Sequence, residues 1–183
     1  MSFHAVPLVG GINTTANPLL TPEELARQLS DCGARLLLTV PDRLEAAKVA
    51  AAATGVEETF VYGEAEDATP FASLLRTGGE PPEVTIDPAA DLVALPYSSG
   101  TTGMPKGVML THRGLYSAGE SLHSHASDSD IRFTRSLLPL PLSHAYGLML
   151  VCASMHSEER GFSVMQRWFD AASWVTLVEE HRL

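Results

Sequence analysis

The sequence predicts an α/β fold: parallel-sheet layers, with a glycine-rich hairpin loop set between strands. Three observations predict it. Short, nearly continuous apolar runs of strand length recur at residues 35–40 and 59–62. A helix-length Ala-rich segment separates them, and a strand–helix–strand order of this kind favours a parallel pair with a crossover helix. The composition is that of a globular chain, with 45% hydrophobic and 19% charged residues among 183.

The elements follow in order. Thr21-Pro22-Glu23-Glu24 predicts a helix start. The Thr21 hydroxyl can accept the Glu24 amide while Glu24 reaches back, and proline occupies the first helical position. Leu25, Leu29 and Cys32 then recur at helical spacing, and Gly33 ends the helix. Residues 35–40 read as a strand buried on both faces. Residues 43–54 read as a helix, and residues 59–62 as the next strand. Residues 63–90 mix acidic side chains with Gly78-Gly79 and Pro81-Pro82, and read as a connection interrupted by a short helix at 71–75. Residues 91–97 and 108–110 read as strands, and Thr111 as the N-cap of a helix from His112. The expected organisation is a first α/β lobe at 1–76, a linker at 77–90 and a second lobe at 91–183.

Charge and cysteine usage narrow the function classes. Twelve Lys+Arg face 22 Asp+Glu, a net charge of −10. No basic stripe is available to displace counterions, so nucleic-acid binding is not expected. Two cysteines, Cys32 and Cys152, do not make a disulfide framework and fit a reducing, cytoplasmic setting. The longest apolar stretch, residues 145–155, is short of the roughly 20 residues needed to cross a bilayer. The first residues, MSFH, carry no basic n-region of a signal peptide.

The chemistry concentrates in Ser98-Ser99-Gly100-Thr101-Thr102-Gly103-Met104-Pro105-Lys106-Gly107. Three glycines let the backbone approach a ligand closely. Four hydroxyls and successive amides can donate to phosphate oxygens, and Lys106 adds a point charge. Lys106 is one of only two lysines in the chain, the other being Lys48. The Walker pattern does not fit, because Pro105 separates Gly103 from Lys106, Gly107 follows the lysine and a strand comes next. The dinucleotide pattern is absent as well. The bland alternative is a flexible Ser/Thr/Gly hairpin loop with no ligand.

Residues 97–108, YSSGTTGMPKGV, closely resemble the phosphate-loop signature of the AMP-forming, adenylate-forming enzymes. That family includes acyl-CoA synthetases, 4-coumarate–CoA ligases, luciferases and peptide-synthetase adenylation domains. The likeness extends through residues 109–113 and to three further segments: 17–25, 140–147 (LPLSHAYG) and 164–170. Its texture is nearest the fatty-acyl and 4-coumarate branch. The resemblance implies an α/β fold, part of the large N-terminal domain of such an enzyme. It implies an acid–CoA ligase activity: a small-molecule carboxylic acid attacks the α-phosphate of ATP, with Mg2+, and a thiol, usually that of CoA, then takes the acyl group.

Residue by residue, the resemblance assigns ATP phosphate binding to Ser98, Ser99, Gly100, Thr101, Thr102, Gly103 and Lys106. It assigns the acyl and adenylate pocket to His144, Tyr146 and Gly147, at the expected N-terminus of an apolar helix that would favour anionic groups. Read alone, a histidine such as His144 in an apolar segment is more often a satisfied structural histidine. Arg167 matches a CoA-contacting position in some relatives, and is equally a surface arginine beside a helix start at Asp170. His123 and His125 lie two apart on a predicted helix, share no face, and are expected to be solvated. No zinc spacing appears, and no metal ligand is assigned.

The family's further catalytic segments and its mobile C-terminal domain have no counterpart here. Tyr62-Gly63-Glu64-Ala65-Glu66 imitates one of them but lacks the threonine and precedes the phosphate loop. The chain is therefore expected to be an internal piece of a longer ligase, inactive alone and prone to self-association through uncovered apolar surface. Two other readings stay open: a non-catalytic nucleotide- or acyl-binding remnant, and a piece of a peptide-synthetase adenylation domain.

Overall fold

A computed structural model of the protein describes residues 2–75, 78–80, 82–98, 103–128, 135–156, 162–166 and 169–183. These fall into two compact units. The first comprises Met1–Ile86 and Ala94–Met109, the second Asp87–Val93 and Leu110–Leu183. The segment carrying Ser98 and Lys106 thus belongs with the N-terminal part of the chain.

In the first unit a short helix, α1 (Ser2–Leu8), precedes α2 (Pro22–Asp31). The capping box forms as its sequence dictates: the Glu24 amide donates to Thr21 Oγ1 at 3.2 Å, and the Thr21 amide to Glu24 Oε2 at 2.8 Å. The helix closes at Cys32, and Gly33 takes the left-handed conformation (φ 63°) that ends such helices. Strand β1 (Leu36–Thr39) follows, then a 3-10 turn at Pro41–Arg43, helix α3 (Leu44–Ala52) and strand β2 (Glu58–Val61). β1 and β2 are parallel, in register from Leu36 opposite Glu58 to Thr39 opposite Val61. A third parallel strand, β3 (Thr69–Pro70), pairs with β2, giving the order β1-β2-β3.

That order corrects one expectation. The strand buried on both faces is β2, not β1. Phe60 and Val61 point to opposite faces and are only 5% and 0% exposed. β1 lies at the sheet edge and leaves Leu36 56% exposed. A run of leucines cannot reveal which strand is central, because that is decided by β3. Ala47 and Ala50 are buried with Leu44, so α3 presents its smallest side chains to the core. The expected short helix at 71–75 is a 3-10 helix, Phe71–Leu75.

Strand β4 (Leu92–Ala94) is followed by β5 (Tyr97–Ser98), β6 (Lys106–Gly107) and β7 (Leu110–Thr111). The strand expected at 91–97 is thus two short ones, β4 and β5, while the one expected at 108–110 begins only at Leu110, in β7, and β6 lies in the segment read as loop. Pro96 lacks an amide for the ladder, so the run breaks at Leu95-Pro96. β4 pairs with β7, and β5 with β6.

In the second unit Thr111 caps α4 (His112–Asp128), its Oγ1 accepting the Gly114 amide at 3.1 Å. Strand β8 (Arg135–Leu138), which the sequence reading does not anticipate, precedes α5 (Ala145–Met155). Strand β9 (Phe162–Met165) lies parallel to β8, with Leu138 opposite Met165. α4 and α5 pack closely where Gly119 faces Cys152 and Ala153. A Cβ on that glycine would meet Cys152 Cβ at 3.0 Å and the Ala153 nitrogen at 3.1 Å. Asp170 caps the last helix, α6 (Ala171–His181), by accepting the Ser173 amide at 2.7 Å. Leu115, Leu138, Leu148 and Ala153 are buried in this unit.

Candidate functional site

The loop sequence is carried by a hairpin. β5 and β6 are antiparallel, with Ser98 opposite Lys106 and Tyr97 opposite Gly107. The ladder extends one step further, where the Val108 amide donates to the Pro96 carbonyl at 2.8 Å. Ser98 and Lys106 are therefore cross-strand neighbours at the last described pair of this ladder, and both are exposed. Gly103 has φ 103°, a conformation that side-chain-bearing residues rarely adopt. Ser99, Gly100, Thr101 and Thr102 lie outside the described residues.

Gly107 is a close-approach position. A Cβ there would come within 3.3 Å of the Tyr97 ring, so the glycine lets that ring lie across the hairpin. The Tyr97 phenol in turn donates to the Asp31 carboxylate at the end of α2. Burial raises the Tyr97 phenol well above its ordinary value, and the bond to Asp31 raises it further. Tyr97 therefore stays a neutral donor. No local sequence pattern links these two residues, which are 66 positions apart. A signal is nevertheless present: Asp31 ends a helix with no basic residue in its last turn, where a negative charge opposes the helix dipole unless something else holds it.

The second cluster lies in the other unit. His144 is the N-cap of α5, and its Nδ1 accepts the Tyr146 amide at 3.2 Å. With Nδ1 accepting, the ring hydrogen is assigned to Nε2. The His144 amide closes the preceding turn on the Pro141 carbonyl at 3.1 Å. His144 and Tyr146 are exposed, Tyr146 by 47%. Gly147 is buried, and a Cβ there would lie 2.6 Å from the Pro141 carbonyl oxygen. Its lack of a side chain is what allows α5 to start against that turn. Arg167 lies outside the described residues.

The two remaining histidines of interest differ. His125 is exposed, and its Nδ1 lies 2.7 Å from the Ser121 carbonyl oxygen. His123 is half-buried, with its ring 6.3 Å from that of His156, which also meets Tyr116 at 4.6 Å. The expectation that both are solvated therefore holds only for His125, because the packing of α5 covers His123. Burial pushes the Cys32 and Cys152 thiols up, which keeps them protonated and poorly nucleophilic. Among the described residues no group of three or more His, Cys, Asp or Glu could hold a metal ion, and no helix is long and apolar enough to cross a membrane.

The α/β architecture with parallel strands matches the N-terminal domain of adenylate-forming enzymes. The chain belongs to the family described as AMP-binding enzyme, which it matches over residues 1–183. It is 42% identical over 188 residues to 4-coumarate–CoA ligase 5 of Oryza sativa subsp. japonica, covering 99% of this chain and 33% of that protein. It is 34% identical to 4-coumarate–CoA ligase 2 of Solanum tuberosum, covering 100% of this chain and 34% of that one. The chain thus spans about a third of the length of these relatives. Among solved structures, a long-chain-fatty-acid-CoA ligase from Archaeoglobus fulgidus superposes with a TM-score of 0.81 at 26% identity, covering 99% of this chain and 35% of that one. An O-succinylbenzoate coenzyme A synthetase from Bacillus subtilis, in complex with AMP, gives 0.71 at 26% identity, covering 100% and 43%.

Proposed function

We propose that the protein serves the AMP-forming activation of a carboxylic acid, of the fatty-acyl or aryl type, for transfer to the thiol of CoA. The supporting observation is the strand pairing that sets exposed Lys106 directly across from exposed Ser98, the two joined by a glycine- and hydroxyl-rich sequence. Relatives named as CoA ligases supply the direction of the chemistry.

In this reading a carboxylate oxygen bonds to the α-phosphorus of ATP, and the bond to the bridging oxygen breaks as pyrophosphate leaves. The thiolate of CoA then attacks the acyl carbonyl, and AMP leaves with the electron pair of the broken acyl–oxygen bond. The chain's own residues hold and neutralise the departing phosphates. Ser98 and the segment 99–103 donate hydrogen bonds, and the Lys106 ammonium offsets charge that grows on pyrophosphate, where fixed donors contribute most. In this reading Mg2+ accompanies the nucleotide, and no step is assigned to it. His144, Tyr146 and Gly147 shape the acyl side: the capped α5 terminus offers amides, Tyr146 an aromatic wall, and Gly147 the close turn that sets both. Arg167 is the candidate contact for a CoA phosphate.

Binding of Mg·ATP, followed by isothermal titration, tests the phosphate assignment. Lys106→Ala is expected to weaken it about tenfold, the loss of one charge-assisted contact. Equal affinity in the variant would remove the assignment. ATP–pyrophosphate exchange with a hydroxycinnamic acid and with a long-chain fatty acid then separates the functions. Acid-dependent exchange supports the ligase reading, and binding without exchange supports a nucleotide-binding role alone.

A further inference from the structure

Gln28 and Asp31 are three residues apart on α2 and so share one helical face. Gln28 is the one buried polar side chain among the described residues, 7% exposed. Its Nε2 donates to Thr14 Oγ1 at 2.9 Å and to the Thr15 carbonyl at 3.3 Å. Thr14 Oγ1 donates onward to the Leu95 carbonyl at 2.9 Å, and the Leu95 amide donates to the Asn13 carbonyl at 2.7 Å. Asn13 also bridges Ala94 in parallel. One turn further along α2, Asp31 accepts the Tyr97 phenol, whose ring lies over Gly107 on the return strand. Leu95 and Tyr97, on either side of Pro96, are thus tied to α2, and the second tie reaches across the hairpin to the neighbour of Lys106.

We propose that Gln28 and Asp31 are positioning residues for the loop-bearing hairpin. Asp31 acts through the Tyr97 phenol, and Gln28 through Thr14 and the Leu95 carbonyl. Neither touches a ligand. They set where β5 leaves the first unit's core and how its partner strand lies, and hence where Ser98 and Lys106 present their polar atoms. An aspartate at the dipole-negative end of α2 contributes nothing to that helix. Its placement makes sense as the acceptor that fixes Tyr97. The consequence for phosphate binding rests on the function proposed above, whereas the anchoring of the hairpin does not.

Amide hydrogen exchange on the whole chain tests the anchor. The readouts are Val108, bonded to the Pro96 carbonyl, and Leu95, bonded to the Asn13 carbonyl. Tyr62, bonded to Thr39 between β1 and β2, is the internal reference. Asp31→Ala and Tyr97→Phe are each expected to speed exchange at Val108 about tenfold, the scale of one hydrogen bond to a charged group, with Tyr62 unchanged. The double variant should be no faster than the worse single one, because both remove the same bond. Asp31→Asn should restore most of the protection, since its amide oxygen still accepts the phenol. Gln28→Ala and Thr14→Val should each speed Leu95 and not Tyr62. Unchanged Val108 and Leu95, equal acceleration at Tyr62, or multiplicative effects in the double variant would overturn the proposal. The Mg·ATP dissociation constant should rise in Asp31→Ala and recover in Asp31→Asn. If the unmodified protein binds no Mg·ATP, the phosphate reading fails while the exchange result still decides the anchor.

Discussion

At Gly147 the missing side chain determines how a helix begins. The 2.6 Å clash that a Cβ would make is with a backbone carbonyl, which cannot rotate aside as a flexible side chain can. Gly147→Ala should therefore lower stability by about 1–3 kcal/mol, the usual cost of overpacking, as read from chemical denaturation. Unchanged stability would show that the turn at Pro141 yields. Tyr97 makes a contrasting case. Its phenol is held above the ordinary value by burial and by Asp31, so its stabilisation is complete below the unfolded phenol's value. That stabilisation is lost only as pH rises toward the folded one. Spectrophotometric titration should therefore find one tyrosine that resists ionisation, and Asp31→Ala should bring it down. The candidate chemistry-bearing side chains at this scale were legible in the sequence as candidates, because residue type and spacing match the pattern of a phosphate-type loop. The Tyr97–Asp31 bond was not, because its partners are 66 residues apart and nothing local couples them.

Helix ends are the elements that the sequence specified best. Thr21 with Glu24, Thr111 with Gly114 and Asp170 with Ser173 all close as local hydrogen bonds, which need only three or four residues in the right order. Hydrogen bonds from the Thr21 backbone and hydroxyl hold the Glu24 carboxyl below its ordinary value, and the Ser173 hydroxyl and amide do the same for Asp170. Because the folded values are depressed, both caps stabilise fully above the unfolded carboxylate range and are lost as pH falls through the folded values. Thr21→Ala should cost about 1 kcal/mol at neutral pH, and Asp170→Asn should flatten the acid limb of a stability–pH curve. An unaltered curve would mean that the charge on Asp170 adds nothing to the cap of α6. Strands were read less well. Each is two to four residues long, and whether it continues depends on what pairs beside it. Pro96 ends one ladder by withholding an amide, and β3 makes β2 central, though neither effect shows in the apolar pattern of β1.

On the scale of the whole molecule, large apolar side chains remain in water, including Leu75 (75% exposed), Met109 (72%) and Phe169 (68%). Side chains of this kind favour association once they gather into contiguous patches. Concentrated protein is expected to self-associate, with a mass above one chain in light scattering. A clean monomer under those conditions would show that these residues stay scattered.

The order of residues was sufficient for the class of fold and for the helix termini, and it singled out the segment from which Ser98 and Lys106 are drawn. Each of these is governed by interactions within a few positions along the chain. The tertiary structure alone decided which strand is central, that β8 lies parallel to β9, and that α2 reaches the hairpin through Gln28 and Asp31. Those outcomes depend on contacts between distant segments, whose closure is set by packing and hydrogen bonding that no local pattern encodes.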